Sequence, residues 1–219
     1  LGPMNTKERR IDIDGKVAFM DKFNYRNHHM RQRLNYPIQM VYQDPKVALN
    51  EFMRVRSQVV EAAEVGFEKV KTNYSKDDWV VKEVNDLLDI LMLRDIEKQY
   101  PFIMSGGQIR RLGIARVLAA QPKIIIADEP TASLDVSTKN MVLDYLSKFN
   151  HQRKNDGLPM GTILISHDLE TISRYCDKVL VMQNGHLVEV LQKDGNGGFD
   201  PKMPFTIKLW EDNAFFMRA

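Results

Sequence analysis

Residues 123–130 read KIIIADEP, and this stretch decides the fold. Its core is a short apolar run, rich in β-branched residues and closed by a proline. Such a run is typical of a strand in a parallel sheet with both faces covered. The run ends on two adjacent carboxylates, Asp128 and Glu129. Because ligands of open parallel sheets bind beyond the carboxyl ends of the strands, this acidic pair marks a candidate site.

Strands and helices alternate on the carboxyl side of this stretch. GTILISHD at residues 161–168 predicts a second buried strand, which delivers Ser166 and His167. Helical periodicity runs from Ser105 to about residue 120, and again over residues 134–149 and 169–175. KVLVMQNGHLVEV predicts a hairpin that turns at Asn-Gly, residues 184 and 185. The alternation indicates an α/β protein with a parallel sheet and right-handed crossovers.

The amino-terminal half has a different pattern. RIDIDGKVAFM (10–20) and PIQMVYQDP (37–45) alternate apolar and polar residues as half-buried strands do, with Gly15 interpreted as a turn residue. From residue 49 to about 94 the apolar period becomes helical, with a break near KTNYSKDD, where Ser75 can cap the second helix. This stretch predicts a helical subdomain.

Composition limits the classes of function. The chain has 219 residues, 43% of them hydrophobic, with 31 basic and 29 acidic side chains and a net charge of +2. No global field favours nucleic acid or an anionic membrane, so an anion site must be local. The single cysteine, Cys176, excludes an internal disulfide framework and fits a reducing compartment. No apolar run approaches the roughly 20 residues that span a bilayer.

MSGGQ, at residues 104–108, requires a physical reason. Ser105 is a good N-cap, but Gly106 and Gly107 then occupy the first helical turn, where each costs about 1 kcal/mol relative to alanine. Glycines allow backbone N–H groups at a positive helix terminus to approach an anion closely. A flexible capped turn is the alternative, and it does not need two glycines.

The strand ends carry groups that suit phosphate chemistry. Asp128 can hold a hydrated Mg²⁺, while Glu129 orients or deprotonates an attacking water. His167 can donate to a phosphoryl oxygen or support the base. Taken singly, the acidic pair could equally cap the next helix, and a histidine at a strand end is more often structural.

Five motifs, in chain order, point to a known family. VYQDP, MSGGQ, IIIADE, SLD and ISHD resemble the Q-loop, signature, Walker B, D-loop and switch-histidine motifs of the ATP-binding-cassette ATPases. Within that family, IQMVYQDPKVALN and DPKMPFTIKLW look most like the oligopeptide and dipeptide importer ATPases. The resemblance covers residues 15 to about 210. Arg110, Met104 and Ser133 are mild departures from the usual motifs.

The resemblance implies a fold and its sections. The fold is α/β, a RecA-like parallel-sheet core with a helical subdomain and without the amino-terminal P-loop portion. We expect four sections: a strand section ending in the Q-loop (1–48), a helical subdomain ending in the signature (49–112), the core with Walker B, D-loop and switch histidine (113–190), and a carboxy-terminal tail (191–219).

The resemblance also implies ligands and residue roles. ATP and Mg²⁺ are the expected ligands, in a dimer that sandwiches two nucleotides. The residues expected to serve this subunit's own nucleotide are Gln43, Asp128, Glu129 and His167, with Asp128 and Gln43 at the metal. The residues expected to serve the partner's nucleotide are Ser105, Gly106, Gly107 and Gln108. Asp135 is expected at the dimer interface.

The implied function is ATP-driven import of oligopeptides in bacteria. The implied partners are a second, identical or related, ATPase subunit, membrane permease subunits and, indirectly, a substrate-binding protein, at the cytoplasmic face of the membrane. Two alternatives stay open: a cassette ATPase that is soluble and not in transport, and a non-catalytic module for dimerisation or regulation.

One motif of the family is absent from these residues. Nowhere in residues 1–219 is there a G-x-x-x-x-G-K-[ST], the Walker A loop that cradles phosphates. GKVAF, at residues 15–19, resembles the segment that normally follows the Walker A helix. Truncation, a long insertion or an ordered remainder would each explain this. Because the loop's backbone donors and lysine are lacking, we expect this chain alone to bind ATP weakly or not at all and to be inactive.

Overall fold

A computed structural model of the chain describes residues 10–13, 16–20, 37–132, 134–155 and 157–214. The chain divides into two units, Leu1–Ile163 and Leu164–Ala219. Strands β1 (Arg10–Ile13) and β2 (Lys16–Met20) pair antiparallel. The prediction of one strand over residues 10–20 is therefore wrong, because the chain reverses between the two halves of the alternating pattern. The predicted turn residue, Gly15, lies outside the described residues.

A three-stranded sheet positions the candidate site. Its strands, in spatial order, are β3 (Ile38–Val41), β4 (Ile124–Asp128) and β5 (Gly161–Ile165). Strands β3 and β4 are parallel, and their register runs to the pair Val41↔Ala127. The predicted parallel sheet is therefore confirmed for β3 and β4, and the residues that follow these two strands leave the sheet at the same end.

The burial of this sheet differs from the prediction of two fully buried strands. In β4, Ile125 and Ala127 are completely buried, whereas Ile126 is only partly covered. In β5, Ile163 and Ile165 are 51% and 48% exposed. Strand order does not explain the difference, because β3 is also at an edge of the described sheet and Val41 on it is buried. An apolar composition alone does not report whether other elements cover the faces of a strand.

Three helices form the packed centre of the first unit. They are α1 (Val55–Phe67), α2 (Lys76–Ile90) and α3 (Gly106–Ala119), and α1 packs against both others. The Ser75 hydroxyl accepts a hydrogen bond from the Asp78 N–H, which confirms the predicted cap of α2. Helix α3 is buried around most of its circumference, as expected for the central helix of such a bundle.

Short connecting helices link these elements. Single 3₁₀ turns cover Pro45–Ala48, Arg94–Ile96 and Pro101–Ile103. The loop after the first of them is held by Gln58, which is completely buried on α1. Its amide donates to the carbonyls of Asn50 and Met53 and accepts from the Asn50 N–H. The buried amide is thus fully paired, and it fixes the path from β3 into the helical region.

A long helix completes the first unit, and the second unit has its own core. Helix α4 spans Val136–Asn155. The second unit contains α5 (Leu169–Tyr175), β6 (Lys178–Gln183), β7 (His186–Gln192) and α6 (Pro204–Ala214). Its buried hydrophobic core contains Leu169, Ile172, Val179, Val181 and Leu191. The predicted hairpin is confirmed, since Asn184 and Gly185 have φ of 51° and 79°, as its turn requires.

A buried polar chain links helices α2 and α4. The side-chain amide of Gln121 donates to Glu83 Oε1 at 2.9 Å and accepts from the Arg153 guanidinium. Gln121 and Arg153 are both buried. Burial raises the pKa of Glu83 to about 7, and the nearby Lys82 opposes that rise.

Substitution of Glu83 by glutamine should therefore change the pH dependence of stability. The folded protein binds this proton more tightly than the unfolded chain, so its free energy of unfolding falls as pH rises from about 4.5 to about 7. Glu83→Gln removes this loss and keeps an acceptor for Gln121. When the pH is raised from about 5 to about 8, the free energy of unfolding of the variant should increase relative to that of the parent by at most about 3 kcal/mol.

Urea unfolding at the two pH values measures this gain. Glu211→Gln, at an exposed position on α6, is the matched control and should show the same pH dependence as the parent. A Glu83→Gln curve parallel to that of the parent would contradict the raised pKa.

Candidate functional site

Gln43 and Glu129 leave the sheet in register. Each lies two residues beyond the last pair of the parallel ladder, Val41↔Ala127. Gln43 is exposed, whereas Asp128, the last residue of β4, and Glu129 are partly buried. The structure therefore brings three of the predicted site residues to the same sheet edge, where open parallel sheets bind ligands.

An arginine joins the two loops. Arg110, on α3, donates from Nη1 to the Glu129 carbonyl at 2.6 Å and from Nη2 to the Gln43 carbonyl at 2.9 Å. Its side chain is largely buried, and burial lowers the pKa of the guanidinium. The group stays charged, because an arginine pKa begins far above neutrality. Sequence reasoning noted Arg110 as a departure from the usual motif but missed this role, because Arg111 and Arg116 on the same helix make it one of three arginines with no signal of its own.

The backbone at Glu129 is in an unusual conformation. Its φ is 45°, in the left-handed region that costs an L-residue roughly 1–2 kcal/mol. The Glu129 carbonyl accepts from the Ala132 N–H at 3.1 Å as well as from Arg110. These two hydrogen bonds hold the turn that presents the carboxylate, and strained residues of this kind cluster at functional sites.

The start of α3 is a reciprocal capping box. The Ser105 hydroxyl accepts from the Gln108 N–H at 3.3 Å, and the Gln108 side chain accepts from the Ser105 N–H at 2.9 Å. The predicted helix start at Ser105 is thus confirmed. The Gln108 side chain has a structural role in the free chain, in addition to the ligand role expected of it.

The two glycines of this turn differ. A β-carbon at Gly107 would lie 3.3 Å from Leu134 Cδ2, so close packing within the chain favours glycine there. A β-carbon at Gly106 would meet nothing within 4 Å. Packing within the described chain therefore does not explain Gly106. Its open surface leaves room for a ligand against the N–H groups of the first turn.

Asp135 caps helix α4. Its carboxylate accepts from the hydroxyls of Ser137 and Thr138, both at 2.6 Å, and from the Thr138 N–H at 2.9 Å. These hydrogen bonds hold the pKa of Asp135 well below its usual range. Capping is a sufficient local reason for an aspartate at this position, and its expected place at a dimer interface stays a prediction.

His167 belongs to the second unit. It is exposed and lies between the end of β5 and Asp168, the N-cap of α5. The Asp168 carboxylate accepts from the Thr171 N–H at 3.1 Å, and the Ser166 hydroxyl accepts from the Asp168 N–H at 3.1 Å. The turn that presents His167 is therefore built from its own neighbours, and its joint action with Glu129 stays a prediction.

The donor chemistry of the sheet edge suits a hard cation. Among the described residues there is no group of three or more His, Cys, Asp or Glu side chains that could hold a metal ion by itself. Asp128 and Gln43 supply oxygen donors, and Mg²⁺ is usually bound by one or two carboxylates together with waters and substrate phosphates. The residues present thus fit Mg²⁺ that arrives with a nucleotide.

The fold and this edge together define an ATP-binding cassette. Residues 3–132 match the family described as ABC transporter, which is more than half of the chain. The chain belongs to the ABC transporter family. In the part of the chain that the structure describes, no helix is long and apolar enough to cross a membrane.

The curated relatives of the chain include ATP-binding proteins of oligopeptide transport. The chain is 36% identical over 195 residues to the oligopeptide transport ATP-binding protein OppF of Streptococcus mutans serotype c, covering 87% of this chain and 57% of the relative. It is 35% identical over 198 residues to OppF of Salmonella typhimurium, covering 90% of this chain and 56% of the relative. The chain thus spans little more than half the length of these relatives.

Two solved structures resemble the fold. One is the ATP-binding cassette MJ0796 in a dimeric post-hydrolysis state bound to ADP and Pi, with a TM-score of 0.62, 20% identity and coverage of 86% of this chain and 75% of that one. The other is cbiO1 from Clostridium perfringens, part of the ABC transporter complex cbiONQ, with a TM-score of 0.54, 26% identity and coverage of 86% and 68%.

Proposed function

We propose that this chain forms part of the ATP-hydrolysing subunit of a bacterial importer of oligopeptides and acts in a dimer of such subunits. The main support is that the carbonyls of Gln43 and Glu129 share one guanidinium at the carboxyl edge of two parallel strands. That guanidinium belongs to the helix that begins with Ser105. The identity of about 35% to OppF proteins supports the peptide class.

The proposed reaction is hydrolysis of ATP by in-line attack of water. Glu129 takes the proton that the water loses as the bond between the γ-phosphorus and the bridging oxygen breaks. Asp128 and Gln43 would hold Mg²⁺, which neutralises phosphate charge when bound. His167 donates a hydrogen bond to a γ-phosphate oxygen. The protein contributes positioning and charge stabilisation rather than a covalent intermediate.

The signature residues serve the nucleotide of the partner subunit. The first turn of α3 presents backbone N–H groups and a positive helix terminus, which favour a phosphate. Gly106 leaves that turn open, and Ser105 starts it. Asp135, which follows the Leu134 that packs near Gly107, would lie at the interface between the two subunits.

The stretch after the Q-loop is proposed to contact permease subunits. Residues 44–52 leave β3 and approach α1, and they include Val47 and Phe52, which are 64% and 87% exposed. Large apolar side chains at such exposure are suited to a protein partner. The subunit would thereby sit peripherally at the cytoplasmic face of the membrane, with a substrate-binding protein reached only through the permease.

A second candidate is a non-catalytic dimerisation or regulatory module. It is favoured by one observation, the absence of a G-x-x-x-x-G-K-[ST] loop from residues 1–219. Without those donors we expect no micromolar ATP binding by this chain alone in calorimetry. Both candidates agree on that result, so a test must examine the signature in a mixed dimer.

Gly106→Asp tests the proposed signature role. Mixed with an intact partner cassette, the parent chain should stimulate the partner's ATP turnover, and the variant should abolish the stimulation. The reason is that a carboxylate would occupy the space left for a phosphate and repel it. Phosphate release is the measurement, at an ATP concentration that saturates the intact partner.

Gly195→Asp is the matched control. A β-carbon at Gly195 also meets nothing within 4 Å, and the residue is exposed in a loop of the second unit. This variant should stimulate the partner as the parent chain does. Equal turnover with Gly106→Asp and with the parent would refute the proposed role of the motif.

A further inference from the structure

Arg110 makes contacts that its place next to the signature motif does not explain. It lies two residues beyond the signature on α3, yet its two terminal nitrogens contact backbone carbonyls of two loops outside this helix. One carbonyl belongs to Gln43 after β3, and the other belongs to Glu129 after β4. A single rigid fork thus joins three segments that are distant in sequence: residues 43, 110 and 129.

The geometry demands a cation with two donors. The two carbonyls carry partial negative charge and approach the same point, so a neutral apolar side chain would leave the Gln43 carbonyl without its charged donor. Guanidinium is planar and presents donors at fixed separation, whereas lysine is a point charge that cannot fix two directions. The donor–acceptor distance of 2.9 Å to the Gln43 carbonyl is typical of a charge-assisted hydrogen bond, and the distance of 2.6 Å to the Glu129 carbonyl is shorter still.

The location gives the bridge a consequence for chemistry. Glu129 has a φ of 45°, and its carbonyl is one of the two groups that Arg110 holds. A change in that peptide would move the carboxylate, and displacement by about 1 Å can cost about a hundredfold in rate. Gln43 would move independently of Glu129 if the shared donor were lost.

We propose that Arg110 is a positioning residue that fixes the Gln43 and Glu129 backbones relative to each other and to the signature helix. The inference rests on the proposed function, in which Glu129 is the base. Arg110 touches no substrate and acts only through the two carbonyls. Through this bridge, the helix that contacts the partner's phosphate is connected directly to the base that acts on the subunit's own nucleotide.

Hydrogen–deuterium exchange tests the bridge on the chain itself. Arg110→Ala should raise amide exchange about tenfold in peptides covering residues 42–46 and 129–134. Arg110→Lys should do so in one of the two peptides, because one donor direction is retained. Arg56→Ala is the matched control, since Arg56 bridges Asn85 and Glu97 within the helical region and should leave both peptides unchanged. Unchanged exchange with Arg110→Ala would overturn the inference.

Measurements of kcat and KM distinguish a positioning role of Arg110 from a role in stabilising the fold. In the chain joined to the amino-terminal section of an OppF relative, Arg110→Ala should lower kcat about tenfold to a hundredfold, with KM for ATP within about twofold. The kcat of Arg110→Lys should fall between that of the parent and that of Arg110→Ala. A kcat within about twofold of the parent would overturn the positioning role. If the unsubstituted chimera has no turnover, the proposed function fails, and the exchange experiment still decides on Arg110.

Discussion

Glu129→Gln should reduce ATP turnover by at least about a hundredfold in the chain joined to the amino-terminal section of a relative. The amide has nearly the shape of the carboxylate but cannot accept the proton of the attacking water. The turn should survive, because it is held through the Glu129 backbone carbonyl, which the substitution leaves in place. Phosphate release under saturating ATP measures the loss, and circular dichroism checks the fold.

The control for this variant is Glu211→Gln, which makes the same chemical change at an exposed residue of α6. It should retain the turnover of the parent. Turnover that is indifferent to Glu129→Gln would show that this carboxylate is not the base. Turnover that never appears with any variant would favour the non-catalytic module.

Gly66→Ala should destabilise the first unit severely, by about 3 kcal/mol or more. A β-carbon at this position would overlap the carbonyl oxygen of Ala119 and crowd the Gln121 side chain. A backbone carbonyl at the end of α3 cannot rotate away, so helices α1 and α3 would have to separate. The expected gain of about 0.5–1 kcal/mol in helix propensity is too small to offset that separation.

Gly106→Ala is the comparison for this prediction. It adds the same methyl group to another helix, at a position with nothing within 4 Å, and should raise the free energy of unfolding by up to about 1 kcal/mol through helix propensity. Urea unfolding followed by circular dichroism gives both values. A Gly66→Ala protein as stable as Gly106→Ala would mean that α1 and α3 do not approach as closely as described.

The sequence could predict those parts of the fold that depend on neighbouring residues. The caps at Ser75 and Ser105 and the turn at Asn184-Gly185 involve only residues a few positions apart, and the structure confirms all three. The motifs also located the sheet edge, because Gln43 and Glu129 follow the strands that their patterns predicted. Such features need no knowledge of distant segments.

Features that depend on distant segments were missed. The exposure of β5 depends on whether other elements cover its faces rather than on the strand's own residues. The role of Arg110 depends on two carbonyls, and backbone carbonyls have no sequence signature. The close approach at Gly66 likewise requires the path of α3 to be known.

The capping box at Ser105 has a consequence for the kinetics of association. The hydrogen bonds between Ser105 and Gln108 already order the first turn of α3 without any ligand. An anion that docks there would order little additional chain, so little conformational entropy would be lost in the encounter. Anion binding at this turn would therefore use a preorganised site, and its association rate would be limited by diffusion and orientation.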